Sequence, residues 1–391
     1  MGSLSPLDPL FQPLRLGAFT LSHRIVQAPC TRMRATKESD GVYVPNDLMV
    51  EYYSQRATQG GLMLTEATPI SRLAAGYPGV PGIFTASQIA GWKRVTEAVH
   101  AKGAVILLQL WHVGRATTPG MLGGVATVSS SDIPISGTAL DGTEYRAAPP
   151  RPMTIDEIKE TVDEYAAAAM RAREAGFDGV EIHAGNGYLF DQFLHDNVNT
   201  RTDLYGGSIA NRARLVLETI TAVTAAIGAP RTGIRLSPYN YFQDTRDSNP
   251  QSHWSYLCSQ IASLPETARP AYVHMVEPRF DEVLDEAAKI RALESETGQG
   301  GAPSLDPFRG ILKKGGVAFI AAGDFRRENA GGKVGADGAD AVAFGRLFIG
   351  NPDLVHRLRS GLELNRYVRE TFYGASPPEK GYTDYPVYGK A

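Results

Sequence analysis

The chain has 391 residues, 43% hydrophobic and 21% charged, with a formal net charge of −3. That composition can bury a large core and excludes a disordered chain, and the near-neutral balance excludes a basic field for nucleic acid or an anionic membrane. Two cysteines, Cys30 and Cys258, make no disulfide framework, so a reducing compartment is expected.

From the N-terminus onward, "MGSLSPLDPLFQPL" lacks the basic and apolar stretches of a signal peptide. It places Pro6 where a myristoylation signal wants Ser or Thr. No later run is apolar enough to span a bilayer, so a cytoplasmic protein is expected. "LFQPLRLGAFTLSHR" reads as a short β-hairpin around Gly17, placed as a cap on the bottom of whatever follows.

Short apolar runs then recur: "RIVQAP" (24–29), "LMLTEA" (62–67), "AVILLQL" (104–110), "GVEIHAG" (179–185), "TGIRLSP" (232–238), "AYVHMVE" (271–277), "VAFIAAG" (317–323) and "AVAFGRLF" (341–348). Most are continuously hydrophobic, the pattern of strands covered on both faces. Helical patterns separate them. One opens with a capping box, Thr154 to Glu157, and another with Ser208 as N-cap. Weaker helices are expected around 252–264, 304–314, 325–330 and 351–360. Eight strands alternating with helices imply α/β architecture, a single (β/α)8 barrel over 1–391, with a doubly wound open sheet as the rival. Two long irregular segments, 111–153 after the third strand and 278–303 after the sixth, fall where a barrel builds its active-site face.

Function is therefore read at the C-terminal strand ends. These carry Thr31, Glu66, Gln109, Trp111, His112, His183, Asn186, Arg235, His274, Gly323, Gly345 and Arg346. No lysine sits there for Schiff-base chemistry, and no His-x-His or His-Glu-x-x-His spacing suggests a metal, so none is expected. An organic cofactor fits better. The glycine turns after strands seven and eight, Gly323 and Gly345, let backbone N–H groups approach a phosphate, and Arg346 adds a charged fork. Gln109 can both donate to and accept from a pyrimidine edge. Arg235 would place positive charge where a flavin becomes anionic on reduction, and Thr31 could bond a ring carbonyl. Each also has a plain structural role open to it: a satisfied core histidine, a loop-bound Gln109, an ion-paired Arg235, or Trp111 and Tyr373 merely packing loops. Cys258 reads as an inert helix thiol.

The segments "HRIVQAPCTRMRA", "LTEAT", "GYPGVPGI", "LQLWHVGR", "DGVEIHAGNGYLFDQFLHDNVNTRTDLYGGSIANRAR", "GIRLSP", "AFGRLFIGNPDLVHRL" and "TFYGASPPEKGYTDYP" carry a resemblance. The sequence resembles the Old Yellow Enzyme family of flavin-dependent ene-reductases over nearly its whole length. The resemblance implies FMN held by Pro29, Thr31, Ala67, Gln109 and Arg235 at the ring and ribityl chain, and by Gly323, Gly345 and Arg346 at the phosphate. It implies that His183 and Asn186 bond the carbonyl oxygen of an enone or enal. Tyr188 would protonate the α-carbon, and Trp111 and Tyr373 would wall the pocket. NADPH or NADH would donate the hydride without a Rossmann domain. The expected protein is a monomer or homodimer working on a small molecule, within a secondary-metabolite pathway. An FMN-dependent isomerase or desaturase, or a non-catalytic barrel, are the alternatives. Three features depart from the family pattern: Ala-Gly links His183 to Asn186 where many members have Gly-Ala or Ser-Ala, Cys30 precedes Thr31 rather than replacing it, and segment 278–303 matches poorly, so no substrate contacts carry over to it.

Overall fold

The computed structural model describes residues 7–280, 291 and 303–389. Among these, eight strands run in parallel: Ile25–Gln27, Leu62–Pro69, Val105–Trp111, Gly179–Ala184, Thr232–Leu236, Tyr272–Val276, Ala318–Ala322 and Ala341–Phe344. Each pairs with the next, and the eighth pairs with the first through Val342 and Ile25, so the sheet closes. Closure leaves no open edge and sets aside the doubly wound alternative.

The apolar runs are continuous because the two faces of each strand have different partners. On the outer face Ile106, Leu108, Leu110, Val180, Ile182, Ile234, Val273, Phe319 and Val342 pack against the helices. On the inner face Val26, Leu62, Leu64, Leu107, Tyr272, Ile320 and Ala341 fill the lower barrel. The outer helices include Asp47–Arg56, Ala86–His100, Ile155–Glu174, Ile209–Ile227, Pro250–Ser263, Asp306–Lys314, Arg327–Gly335 and Leu354–Arg359. The expected caps form. Glu157 N–H donates to Thr154 Oγ1 at 3.2 Å, Thr154 N–H to Glu157 Oε2 at 2.8 Å, and Asn211 N–H to Ser208 Oγ at 3.3 Å. Each cap satisfies helix N–H groups that have no intrahelical acceptor.

The N-terminal hairpin, Leu14–Leu16 with Phe19–Leu21, does close the bottom. Leu16, Phe19 and Leu21 join the inner cluster, and Ala18 N–H donates to Pro230 O at 2.9 Å. Three details differ from the sequence expectation. The run 341–348 is not one strand. It ends at Phe344, and Arg346–Gly350 is a short helix, because Gly345 turns the chain out of the sheet (φ −98°, ψ −83°). A second hairpin, Thr36–Ser39 with Val42–Val44, was hidden by its polar sequence "TKESDGVYV". Segment 111–153 holds a small parallel pair, Val128–Ser129 with Arg151–Pro152. The irregular connection 278–303 lies mostly outside the described residues.

The C-terminal segment returns to the barrel top under an arginine clamp. Arg32 donates to Phe372, Thr371 and Gly381 carbonyls, Arg34 to Phe372, Thr371 and Lys380, and Arg56 to Tyr382. Tyr382 stacks on Tyr52 with centroids 4.1 Å apart. Hydrogen bonds from a charged donor contribute about 1.5–3 kcal/mol each. No helix among the described residues is long and apolar enough to cross a membrane.

Candidate active site

The fourth strand delivers the central group. Its inner face carries Glu181 and then His183, and the parallel register sets His183 beside Arg235 and Arg235 beside His274. His183 is buried, and its Nδ1 has no hydrogen-bond partner among the described residues. Burial, reinforced by the Arg235 charge, pushes its pKa well below the usual imidazole value. The ring is therefore neutral and offers one N–H donor.

Beyond the strand the chain turns sharply. Asn186 and Gly187 take left-handed backbone angles, φ +56° and +75°. Asparagine tolerates that region better than most residues, and glycine has no Cβ to clash. Asn186 N–H donates to Ser237 Oγ at 2.7 Å, and Gly187 N–H to Asp191 at 2.8 Å. Asn240 Nδ2 donates to Asn186 Oδ1 at 3.2 Å. That bond occupies the amide oxygen and leaves Asn186 Nδ2 as the donating end. Tyr188 follows, its ring edge-on to Trp111 at 4.8 Å and 5.3 Å from the His183 ring.

A polar tier lies one layer deeper. Gln109 Nε2 donates to Glu181 Oε1 at 2.8 Å, His274 Nδ1 lies 2.9 Å from Glu181 Oε2, and Arg235 Nη1 lies 3.4 Å from His274 Nε2. The opposite wall is made of small residues. Ala28, Ala67, Ala322 and Ala343 are buried there, and a Cβ built on Gly345 would sit 3.4 Å from Cys30 Sγ and 3.9 Å from Ala28. Pro29 and Thr31 are half-buried at the rim of the first strand. At strand seven, Gly323 takes φ +116°, and an added Cβ would come within 3.0 Å of Glu277 and Phe280. Its carbonyl accepts from Arg279 at 3.0 and 3.2 Å. The Arg346 guanidinium lies 5.0 Å from the Phe280 ring centre. Small residues on one wall, polar groups on the other and two arginines beside the glycine turns fit a planar ring bearing a phosphate tail. The buried, partnerless His183 Nδ1 agrees with a site built to receive a polar group. These residues fit FMN.

The pocket-wall candidates differ from one another. Trp111 is buried and sandwiched between Tyr188 and Tyr77, which stacks on it at 5.5 Å. Tyr373 is 67% exposed on the clamped C-terminal segment. His112 is buried, pushed down to about 3 by burial, and accepts the Gly114 N–H at its Nδ1, a structural role. Cys258 is buried and its thiol is pushed up, as an inert helix thiol should be.

Sequence reasoning missed Tyr77, Ser237 and Asn240. Tyr77 lies in the turn "GYPG", and its phenol is raised by burial and by hydrogen-bonded neighbours Tyr188 and Tyr145. Ser237 and Asn240 lie in "LSPYN", directly after the fifth strand. Their position in loops after strands was the available signal.

The model of the NADH:flavin oxidoreductase / NADH oxidase family matches residues 9–365. The flavin oxidoreductase hxnT of Emericella nidulans is 75% identical over 386 residues, 99% of this chain and 99% of that protein. The 12-oxophytodienoate reductase 1 of Oryza sativa subsp. japonica is 47% identical over 380 residues, 97% of this chain and 93% of that protein. The solved structure of an old yellow enzyme homologue from Zymomonas mobilis superposes with a TM-score of 0.84 at 38% identity, covering 96% of this chain and 99% of that one. Morphinone reductase in complex with tetrahydroNAD gives 0.83 at 40% identity, with 97% of each chain covered.

Proposed function

This chain belongs to the NADH:flavin oxidoreductase / NADH oxidase family, the Old Yellow Enzyme family, and from that premise we propose that it reduces the activated C=C bond of a small α,β-unsaturated carbonyl compound. It is an NAD(P)H flavin oxidoreductase whose cofactor is FMN. We take residues 1–391 as one FMN-binding unit. Gln109, Arg235, Thr31, Pro29 and Ala67 would meet the ring, and Gly323, Gly345 and Arg346 the phosphate. When bound, FMN supplies two-electron chemistry, accepting hydride from the nicotinamide and delivering it to the substrate β-carbon.

The protein's own part falls to three side chains. His183, held neutral, and Asn186, with its amide oxygen already occupied, each present an N–H to the substrate carbonyl oxygen. They stabilise the negative charge that builds there, as an oxyanion hole does. Tyr188 Oη gives its proton to the α-carbon. Tyr77 stacks on Trp111, and Trp111 meets the Tyr188 ring edge-on and fixes its orientation. The convergence of these three groups from one strand end supports the reading best, because a binding barrel needs no proton donor beside an oxyanion pair. The test is anaerobic. NADPH-reduced enzyme is mixed with a panel of enones, enals and nitroalkenes, and flavin reoxidation is followed by its absorbance. Reoxidation by cyclic enones, with the saturated ketone as product, is expected. Flavin that stays reduced with every member of the panel would sink the proposal.

A further inference from the structure

Two residues before His183 the fourth strand carries a carboxylate that none of these steps uses. Glu181 is fully buried inside the barrel. A buried carboxylate is costly unless its oxygens are met by donors. Here both are met, by Gln109 and His274, with the Tyr272 phenol also against the carboxylate, and the chemistry of the first two partners fixes their own protons. The Arg235 guanidinium has N–H donors only. His274 Nε2, 3.4 Å from Arg235 Nη1, must therefore accept, so the one ring proton of a neutral His274 sits on Nδ1 and is donated to Glu181 Oε2 at 2.9 Å. Burial and the Arg235 charge both favour that neutral imidazole, outweighing the pull of Glu181. The other carboxylate oxygen can only accept, so Gln109 turns Nε2 to it at 2.8 Å and is left with Oε1 as its outward-facing acceptor.

We propose that Glu181 is the positioning residue of the cofactor site: it sets Gln109 with its acceptor oxygen outward and, through His274, holds the Arg235 guanidinium, so that the tier receives a ring edge bearing an imide N–H and a neighbouring carbonyl. A flavin has that edge, and the inference rests on the reading of the barrel mouth as an FMN site. Glu181 touches neither substrate nor ring. It acts through Gln109 and Arg235.

The argument makes an isosteric change informative. In Glu181→Gln the new amide has one accepting and one donating end. If its oxygen takes the His274 proton, its nitrogen faces Gln109, which must turn its own oxygen inward and offer N–H to the imide N–H. If its oxygen takes Gln109, its nitrogen faces His274 Nδ1, whose proton must move to Nε2 and oppose Arg235. Either arrangement sets donor against donor. The paired change Glu181→Gln/Gln109→Glu removes the conflict, because the carboxylate at 109 accepts from the amide at 181 and still offers an oxygen to the ring.

Apo-protein is titrated with FMN by fluorescence quenching, and the two-electron midpoint potential of the bound cofactor and the apo melting temperature are recorded. Glu181→Gln should fold and bind FMN roughly ten- to a hundredfold more weakly, the range for a buried donor left unmet. Its midpoint should rise, because a negative charge near the ring is lost. The paired variant should recover most of the affinity with a midpoint below wild type, because the charge is now closer. Wild-type affinity and midpoint in Glu181→Gln would overturn the proposal, as would lost affinity that the folded paired variant does not restore. Should Glu181→Gln fail to fold, the paired variant decides by the same two readings. Wild-type apo-protein that takes up no FMN would overturn the reading of the site itself, and this inference with it.

Discussion

At the bottom of the barrel, Leu62, Leu64, Leu107, Tyr272 and Ile320 pack onto Leu16, Phe19 and Leu21 of the hairpin, and the interior is apolar. At the top, the third to sixth strands carry Gln109, Glu181, Arg235 and His274, whose polar atoms form a hydrogen-bonded chain beside His183. A few residues along each strand thus separate groups selected for burial from groups placed for chemistry. Damage to one end should leave the other nearly intact, because contacts that far apart share few neighbours.

The largest effect should come from the top. Tyr188→Phe keeps the ring against Trp111 and removes only the hydroxyl. Reduction of bound flavin by NADPH should stay near wild type, while reoxidation by cyclohexenone slows by roughly 10²–10⁴-fold, the range for general acid catalysis. The melting temperature should hardly move. Stopped-flow measurement of the two half-reactions gives the answer. Equal slowing in both would make Tyr188 a structural or nicotinamide-binding residue.

Leu107→Ala is the counterpart at the bottom. It removes a fully buried side chain from the inner cluster and should cost about 2–5 kcal/mol of stability, read from urea denaturation. Turnover per bound FMN at a temperature where the variant is folded should match wild type. A comparable loss of turnover would show that the two ends are mechanically coupled.

The bottom was easier to read in the sequence than the top. Continuous runs such as "AVILLQL" give strands by composition alone, and their count gave the barrel. His183, Asn186, Tyr188, Gln109 and Arg235 stood out because polar residues end apolar runs. Tyr77 and Asn240 did not, because they lie in turns whose path depends on packing against distant segments. Nor could the role of Glu181 be inferred, since its partners Gln109 and His274 are 72 and 93 residues away in sequence and meet only when the barrel closes. The hairpin at 36–44 was hidden for the opposite reason: its first strand is fully exposed and shows no apolar alternation.

Arg346→Ala tests whether the top binds its cofactor as a separate module. Loss of a charge-assisted hydrogen bond should weaken FMN binding by about 1.5–3 kcal/mol, or roughly ten- to 150-fold. Equilibrium dialysis of FMN would measure it, and the apo melting temperature should be unchanged. FMN affinity equal to wild type would remove Arg346 from the phosphate site.

The smallest effect concerns pH, and its sign distinguishes the two ends. Glu66, at the top of strand two, is buried against Tyr53 and the Arg32 backbone, and burial raises its carboxyl to about 7 despite Arg32 and Arg34. Its folded pKa lies above the unfolded one. The folded chain therefore holds the proton more tightly, and the stability this group contributes is full below the unfolded value of 4.5 and is lost as pH rises through about 7. Between pH 6 and 8 the loss should be about 1 kcal/mol. At the bottom the sign reverses. Burial, with Arg359, pushes His23 down to about 4, so its contribution is lost as pH falls from 6.5 through that value. Glu66→Gln keeps the shape and removes the titration. Its melting temperature should fall less than that of wild type between pH 6 and 8, while the acid limb stays. Parallel curves over that window would mean that Glu66 is already ionised in the fold, with the Arg32 and Arg34 charges outweighing its burial.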